Sequence, residues 1–267
     1  MNLFITQEEL ALHKHINFNV DLDASGLLIS SCPQGVSAQS QIIKPSAELL
    51  TDLNHLSWQE LNTIGKNGKA RQQIALGAVK TDHMKNGYKA EYRIVGFDHD
   101  DLADGSGKAP FTWLMTRIYK ESRPMNNDST NKGGWDGCEL REWLNSEFFA
   151  LCSDDLQSVI CPVIKLTSAG SKSKEIIKST DRIFIPSEKE IFGRAVYSVP
   201  GEGHWYEYFQ QEDVPYIVLD EDGTAVWWWL RSAHYYNSYR FCRVATDGSY
   251  HGNYASWSAG VVPGFSF

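Results

Sequence analysis

Between positions 234 and 259 the chain carries Tyr235, Tyr236, Tyr239, Tyr250 and Tyr254, interleaved with His234, Asn237, Ser238, Arg240, Arg243, Ser249, His251, Gly252 and Asn253, and followed by Ser256, Trp257, Ser258 and Ala259. Tyrosine and tryptophan offer large rigid contact areas that end in a polar group. Serine, glycine and asparagine adapt their hydrogen bonds to what they meet, and arginine adds a planar donor. Such a set suits non-covalent recognition, as an antibody paratope does. The bias belongs to this segment: residues 1–229 contain 45 Lys, Glu, Gln or Met, whereas residues 230–267 contain none where about seven would be expected at the upstream frequency. Trp227, Trp228, Trp229, Phe241, Phe265 and Phe267 read instead as the buried side of core strands.

Bond-making chemistry has little to stand on. No dinucleotide fingerprint, Walker A loop, HExxH, GxSxG or paired CxxC occurs. Asp104-Gly105-Ser106-Gly107-Lys108 lacks the upstream glycine and the hydroxyl residue of a phosphate loop, so it reads as a polar turn. The cluster Asp98, His99, Asp100, Asp101 and Asp104 does not match an EF-hand loop and reads as turn-capping. His204, beside Trp205, Tyr206 and Tyr208, reads as a packed loop histidine. Neither a metal nor an organic cofactor is expected.

The elements that must position these residues mix strands and short helices without regular alternation, which predicts an α+β fold rather than a doubly wound sheet. Thr6 with Glu9 has the form of a capping box, and the polar stretch after it carries little periodicity, so residues 1–56 read as an N-terminal extension or attachment segment. A second capping box, Ser57 with Glu60, opens a helix expected to stop at Gly65. Residues 72–97 predict a hairpin turning at Asn86 and Gly87, and residues 111–119 a further strand. Asp136 to about Leu151 predicts the longest helix, capped by Asp136 and Glu139, with Leu140, Trp143, Leu144 and Phe148 on its buried stripe. Ser153–Ile160 predicts a short helix and Arg182–Pro186 a strand. Ser187 with Glu190 caps a last helical turn ending at Gly193. The chain closes with a strand over Ala225–Ser232, a hairpin at Asp247 and Gly248, and a strand over 260–267, with Trp229 and Val261 expected in one sheet.

Net charge is −8, and Lys and Arg form no stripe, so nucleic acid is not an expected partner. The first fifteen residues have neither a basic start nor a long apolar run, and no eighteen apolar residues are consecutive, so cytoplasmic synthesis without membrane insertion is expected. Cys32, Cys138, Cys152, Cys161 and Cys242 are odd in number and scattered, as reduced, mostly buried thiols would be.

The runs WWWLRSA, FCRV, DGSY and GVVPGF resemble the C-terminal region of variable proteins diversified by retroelements, which have a C-type lectin-like fold and bind ligands. RIVGFDHDDLADGSGKAPFTW, GGWDGCELREWLNSEFF, LQSVICPVIKLTSAGS and IFIPSEKEIFG resemble a domain of unassigned function common in gut bacteria and their phages, often joined to that ending. Together the resemblance covers residues 57–267. In such systems adenine-directed mutagenesis turns AAC-type codons into NNC codons, which cannot encode Lys, Glu, Gln, Met or Trp.

The resemblance implies a C-type lectin-like fold of the formylglycine-generating-enzyme-like subtype. Trp228, Trp229, Leu230, Arg231, Ser232, Phe241, Val244, Gly248, Ala255, Gly260, Val261, Pro263, Gly264 and Phe265 would be its scaffold. Its variable, ligand-binding positions would be His234, Tyr235, Tyr236, Ser238, Tyr239, Arg240, Arg243, Ser249, Tyr250, His251, Gly252, Tyr254, Trp257 and Ala259. Of these, His234, Tyr235, Tyr236, Tyr239, Arg240, Arg243, Tyr250, His251 and Tyr254 are expected to converge on one exposed patch. Trp257 departs from the codon rule, being either a fixed residue or the product of another codon. A protein or glycan on a cell surface is the implied ligand, and a phage particle or larger assembly the implied partner of the N-terminal segment. A formylglycine-generating oxidase is the enzymatic alternative, but it needs a reactive cysteine pair and only Cys242 lies near the face. A non-diversified lectin-like domain is the other, and the tripeptides EPN, QPD and WND of calcium lectins are absent.

Overall fold

The computed structural model describes residues 48–267 and, upstream, the antiparallel pair β1 (Val20–Leu22) and β2 (Leu28–Ser30). The chain divides into a unit of residues 1–48 and a unit of residues 49–267. The helix expected from Thr6 and Glu9 lies outside the described residues, as does Cys32. The larger unit begins ahead of the boundary read at 56, because β3 (Leu50–Asp52) pairs in parallel with β4 (Ile74–His83) and Leu53 is fully buried.

The architecture is α+β. β4 and β5 (Lys89–Phe97) form the expected hairpin, antiparallel from Val79↔Arg93 to His83↔Lys89, and Gly87 at its turn has φ +82. β6 (Phe111–Met115) lies on β5, and a long connection follows. It holds the hairpin β7 (Val163–Ser168) and β8 (Ile176–Asp181), the small pair β9 (Val218–Leu219) and β10 (Ala225–Val226), and an antiparallel sheet of β11 (Trp228–Ala233), β12 (Arg240–Val244) and β13 (Tyr250–Tyr254). β14 (Gly264–Ser266) then returns to β6, completing a five-stranded sheet in the order β14-β6-β5-β4-β3.

Helices cover this frame where local capping starts them. Ser57 and Glu60 exchange both bonds of a capping box ahead of Trp58–Lys66, and Ser187 and Glu190 do so ahead of Glu188–Phe192, which stops at Gly193 in the left-handed region. Gly65 lies inside the first helix instead of ending it; a Cβ there would meet Pro110 at 2.7 Å. The longest helix starts at Glu139, not Asp136: the amide of Glu139 is capped by Asn126 Oδ1 at 3.0 Å, while Asp136 pairs with Arg141 at 3.4 Å. It passes through a π-helical turn at Leu144–Phe148 before Phe149–Leu151, and its apolar stripe Leu140, Trp143, Leu144 and Phe148 is buried as expected.

Two strand expectations change. Arg182–Pro186 is not a strand: it bends at Arg182 and Ile183 and makes one bridge, Phe184↔Gly264, and the strand in that region is β8. Trp229 and Val261 do not share a sheet: β14 belongs to the five-stranded sheet, and the segment before it touches β11 through a single parallel bridge, Trp228↔Gly260. One hydrophobic core nevertheless runs beneath both sheets, centred on Trp58, Tyr92, Trp113, Phe265 and Phe267, with Trp58 edge-on to Trp113 at 5.2 Å. Trp228, Trp229 and Phe241 are buried in it, while Trp227 is half-buried against Trp229. No helix among the described residues is long and apolar enough to cross a membrane.

Candidate functional site

β11, β12 and β13 carry the biased segment. The β12–β13 turn is made by Asp247, whose carboxylate accepts from Ser249 N at 3.0 Å and Ser249 Oγ at 2.7 Å. Directly opposed residues share a side of the ladder, which pairs Arg240 with Tyr254, Cys242 with Gly252, Arg243 with His251 and Val244 with Tyr250. The other connection, residues 234–239, is tied to itself: Asn237 N donates to His234 O, Arg240 N to Asn237 O and His234 N to Arg240 O.

A residue far away in sequence holds that loop. Asn131 is fully buried, and its Nδ2 reaches the carbonyls of His234 at 3.1 Å, Asn237 at 3.1 Å and Arg240 at 2.8 Å, while its own amide donates to Ser238 O at 2.7 Å. All four contacts are to main chain. On its other side, Asn131 Oδ1 accepts from Ser171 N at 2.8 Å. The backbone crossing here is so tight that a Cβ at Gly170 would overlap Asn131 O and one at Gly134 would overlap Ser168 O; both glycines also have positive φ.

Side chains on this clamped frame divide into three groups. Tyr236, Tyr239 and Trp257 stand out at 65, 58 and 56 % exposure, and Tyr254 at 36 %, with Ser249 and His251 also exposed. Tyr235, Ser238, Arg240, Arg243 and Tyr250 are half-buried. His234 is buried, against the expectation that it lies on the exposed patch, and so are Gly252 and Ala259, which the resemblance placed among the variable positions. Their reasons are steric. The His234 ring stacks on Tyr197 at 4.8 Å and lies over Gly252, where a Cβ would overlap its Cδ2, and Ala259 is paired main chain to main chain with Arg123.

Ring contacts link some of these side chains in two groups. Tyr250 meets Tyr197 at 6.0 Å, Tyr197 meets His234, His234 meets Tyr236 at 6.1 Å, and Tyr236 meets Tyr235 at 5.1 Å. In the second group the Arg240 guanidinium lies over Tyr254 at 4.7 Å and Tyr254 touches Trp257 at 5.9 Å. Arg243 lies instead over Trp227 at 4.9 Å. Tyr197 was not readable as a member from sequence. It is placed by the buried Glu188 carboxylate, which accepts from the amides of Val196, Tyr197 and Ser198.

Beneath the sheet lies a buried charge network. Arg231 makes a two-point ion pair with Glu190, and Lys165 bridges Glu190 at 3.0 Å and Asp100 at 2.7 Å. Burial alone would raise the Glu190 carboxyl, but Arg231 and Lys165 outweigh it and bring it down to about 2. Asp100 is held well below its ordinary value in the same way, by Lys165 and His99 against the cost of burial. It is therefore a core ion-pair member, accepting also from Thr112 and Ser266, and not the turn cap expected of it. Glu202, fully buried and receiving one amide bond from Ser168 at 2.7 Å, is pushed up to about 7 by burial.

Three further groups named from the sequence are placed as follows. The Cys242 thiol is fully buried and pushed well above its ordinary value by burial, with Glu188 and Glu202 adding to it. His204 is exposed, not packed, and its carbonyl meets His99 Nε2 at 3.1 Å. Asp104 accepts from Ser106 N and Oγ, closing the polar turn expected there. Among the described residues no three His, Cys, Asp or Glu gather as metal ligands would.

The family model described as Domain of unknown function (DUF6273) matches residues 111–267, from β6 to the end of the closing strand, which is more than half of the chain. The chain belongs to this family. The DUF6273 match thus takes in Asn131, the charge network from Lys165 onward and the whole biased sheet, and leaves out β3, β4 and β5. No curated protein and no solved structure matches the chain.

Proposed function

We propose that the unit of residues 49–267 is a ligand-binding domain of C-type lectin-like fold, formylglycine-generating-enzyme-like in subtype, and that β11–β13 form the receptor-recognition face of a retroelement-diversified variable protein. It binds a protein or glycan on a cell surface and is not an enzyme. The N-terminal segment attaches it to a phage particle or larger assembly.

What supports the reading is the division between main chain and side chain in residues 234–240. Asn131, which lies outside the biased segment, takes hold of carbonyls that every residue type possesses, while Tyr236 and Tyr239 spend their rings on solvent. A surface held in this manner keeps its shape when its side chains change, as a diversified site requires.

The test is the neighbouring DNA. A template repeat that matches codons 230–267 except at adenines, beside a reverse transcriptase gene, is the expected result. Its absence, together with unfolding of a library randomised at Tyr236, Tyr239, Tyr254 and Trp257, would overturn the proposal.

A further inference from the structure

The larger unit has an apolar cleft between the five-stranded sheet and residues 208–218. Val95, Leu114 and Met115 line it from the sheet, and Phe209, Tyr216 and Ile217 line it from the segment, with Phe209 stacked on Tyr216 at 5.9 Å. Arg93 and Tyr208 complete the lining, and the carboxylates that flank them in sequence are both engaged. Glu207 takes two bonds from Arg71, at 2.9 and 2.5 Å, and Glu91 accepts from the Thr116 hydroxyl at 2.9 Å. Arg93 itself is half-buried, lays its guanidinium over Tyr208 at 5.0 Å, and forms no ion pair among the described residues. An apolar slot therefore ends on a cation without an acid.

We infer that this cleft binds a short-chain monocarboxylate, its hydrocarbon tail between the apolar walls and its carboxylate on the Arg93 guanidinium. Charge selects the head group: the planar fork of an arginine matches the two oxygens of a carboxylate, and apolar walls beside it strengthen the pair. Size selects the tail. The free volume is about 60 Å³, room for about four to six waters, so a tail of about four carbons fits and the acyl chain of a lipid does not. No second charged side chain lines the cleft, so a further charge on the ligand would go unanswered. Entry is through the outer wall: among the described residues, 212–217 make no hydrogen bond from main chain to main chain, and Trp228 Nε1 donates to Tyr216 O at 3.3 Å. Apart from Val262, every lining residue precedes position 230, so the site does not change when the biased segment does.

The full chain is titrated with isovalerate, its neutral analogue isovaleramide, octanoate and the peptide acetyl-Gly-Leu, with the methyl resonances of Met115 and Val262 as readout. Isovalerate is expected to shift both resonances saturably, and isovaleramide to bind about tenfold more weakly or worse. Arg93→Gln should weaken isovalerate by a similar factor while leaving isovaleramide binding and melting unchanged. Absence of shifts with isovalerate, equal binding of the amide, or indifference to Arg93→Gln would overturn the inference. Tighter binding of octanoate would overturn it in favour of a lipid groove, and tighter binding of acetyl-Gly-Leu in favour of a partner chain's C-terminus. None of these outcomes bears on the recognition face, whose test is the randomised library and the neighbouring DNA.

Discussion

Gly252 lies against the imidazole of His234, so close that a Cβ at position 252 would overlap its Cδ2, and Tyr197 stacks on the same ring at 4.8 Å. The two residues therefore constrain each other. Gly252→Ala should cost about 1 to 3 kcal/mol as overpacking, and most of that cost should vanish in a His234→Ala background. A double-mutant cycle in denaturant measures this, and simple additivity would show that the contact does not limit position 252.

Removing the clamp should be costlier than removing what it displays. Asn131→Ala leaves the carbonyls of His234, Asn237 and Arg240 without their shared donor and should lower stability by about 3 kcal/mol. Asn131→Asp puts a carboxylate against three carbonyl oxygens and should be worse. Thermal melting of both variants checks the order.

Tyr236→Ser, Tyr239→Ser and Trp257→Ser should each change stability by no more than about 0.5 kcal/mol. Trp229→Ala, from a fully buried position, should cost about 3 to 5 kcal/mol. Comparable losses in both classes would mean that the exposed rings serve packing, not recognition.

Glu202 predicts a pH dependence. Its folded-state pKa of about 7 lies above the ordinary 4.5, so the folded chain holds this proton more tightly than the unfolded one. The stability it contributes is full below about 4.5 and is lost as pH rises through about 7, by up to about 1 kcal/mol per pH unit. Glu190 acts in the opposite sense and in another window: the stability it contributes is present above 4.5 and lost as pH falls towards about 2. His234, whose imidazole burial holds below its ordinary value, acts oppositely in the same window, so the Glu202 contribution is read as a difference: between pH 5 and 8 wild-type stability should fall relative to that of Glu202→Gln, with the acid limb unchanged. A slope unaltered by Glu202→Gln would contradict this.

The parts of the fold legible in sequence are those whose partners are close along the chain. Both capping boxes join residues three apart, and the turns at Asn86-Gly87 and Asp247-Gly248 act within four residues, so their physics is visible in a short window. β8 was not legible because its exposure does not alternate cleanly, and Arg182–Pro186 reads as a strand because its centre is apolar, although the chain bends at Arg182 and Ile183 and has a bridge partner only at Phe184. For the site, composition identified the segment but not which of its residues face solvent. Nothing local to His234, Gly252 or Ala259 announces Tyr197 or Arg123 lying over them. Asn131 sits in a polar loop among other Asn, Ser and Thr residues, and its three carbonyl partners are more than a hundred positions away.

The carbonyls that Asn131 Nδ2 holds belong to positions 234, 237 and 240, every third residue of the connection. A one-residue insertion or deletion there would present the wrong carbonyls to the amide and push the returning strand out of register with β13. Substitution leaves that spacing untouched. The loop is thus open to rewriting letter by letter and closed to changes of length, which separates it from recognition loops that diversify by growing and shrinking, and restricts grafts at this position to segments of the same residue count.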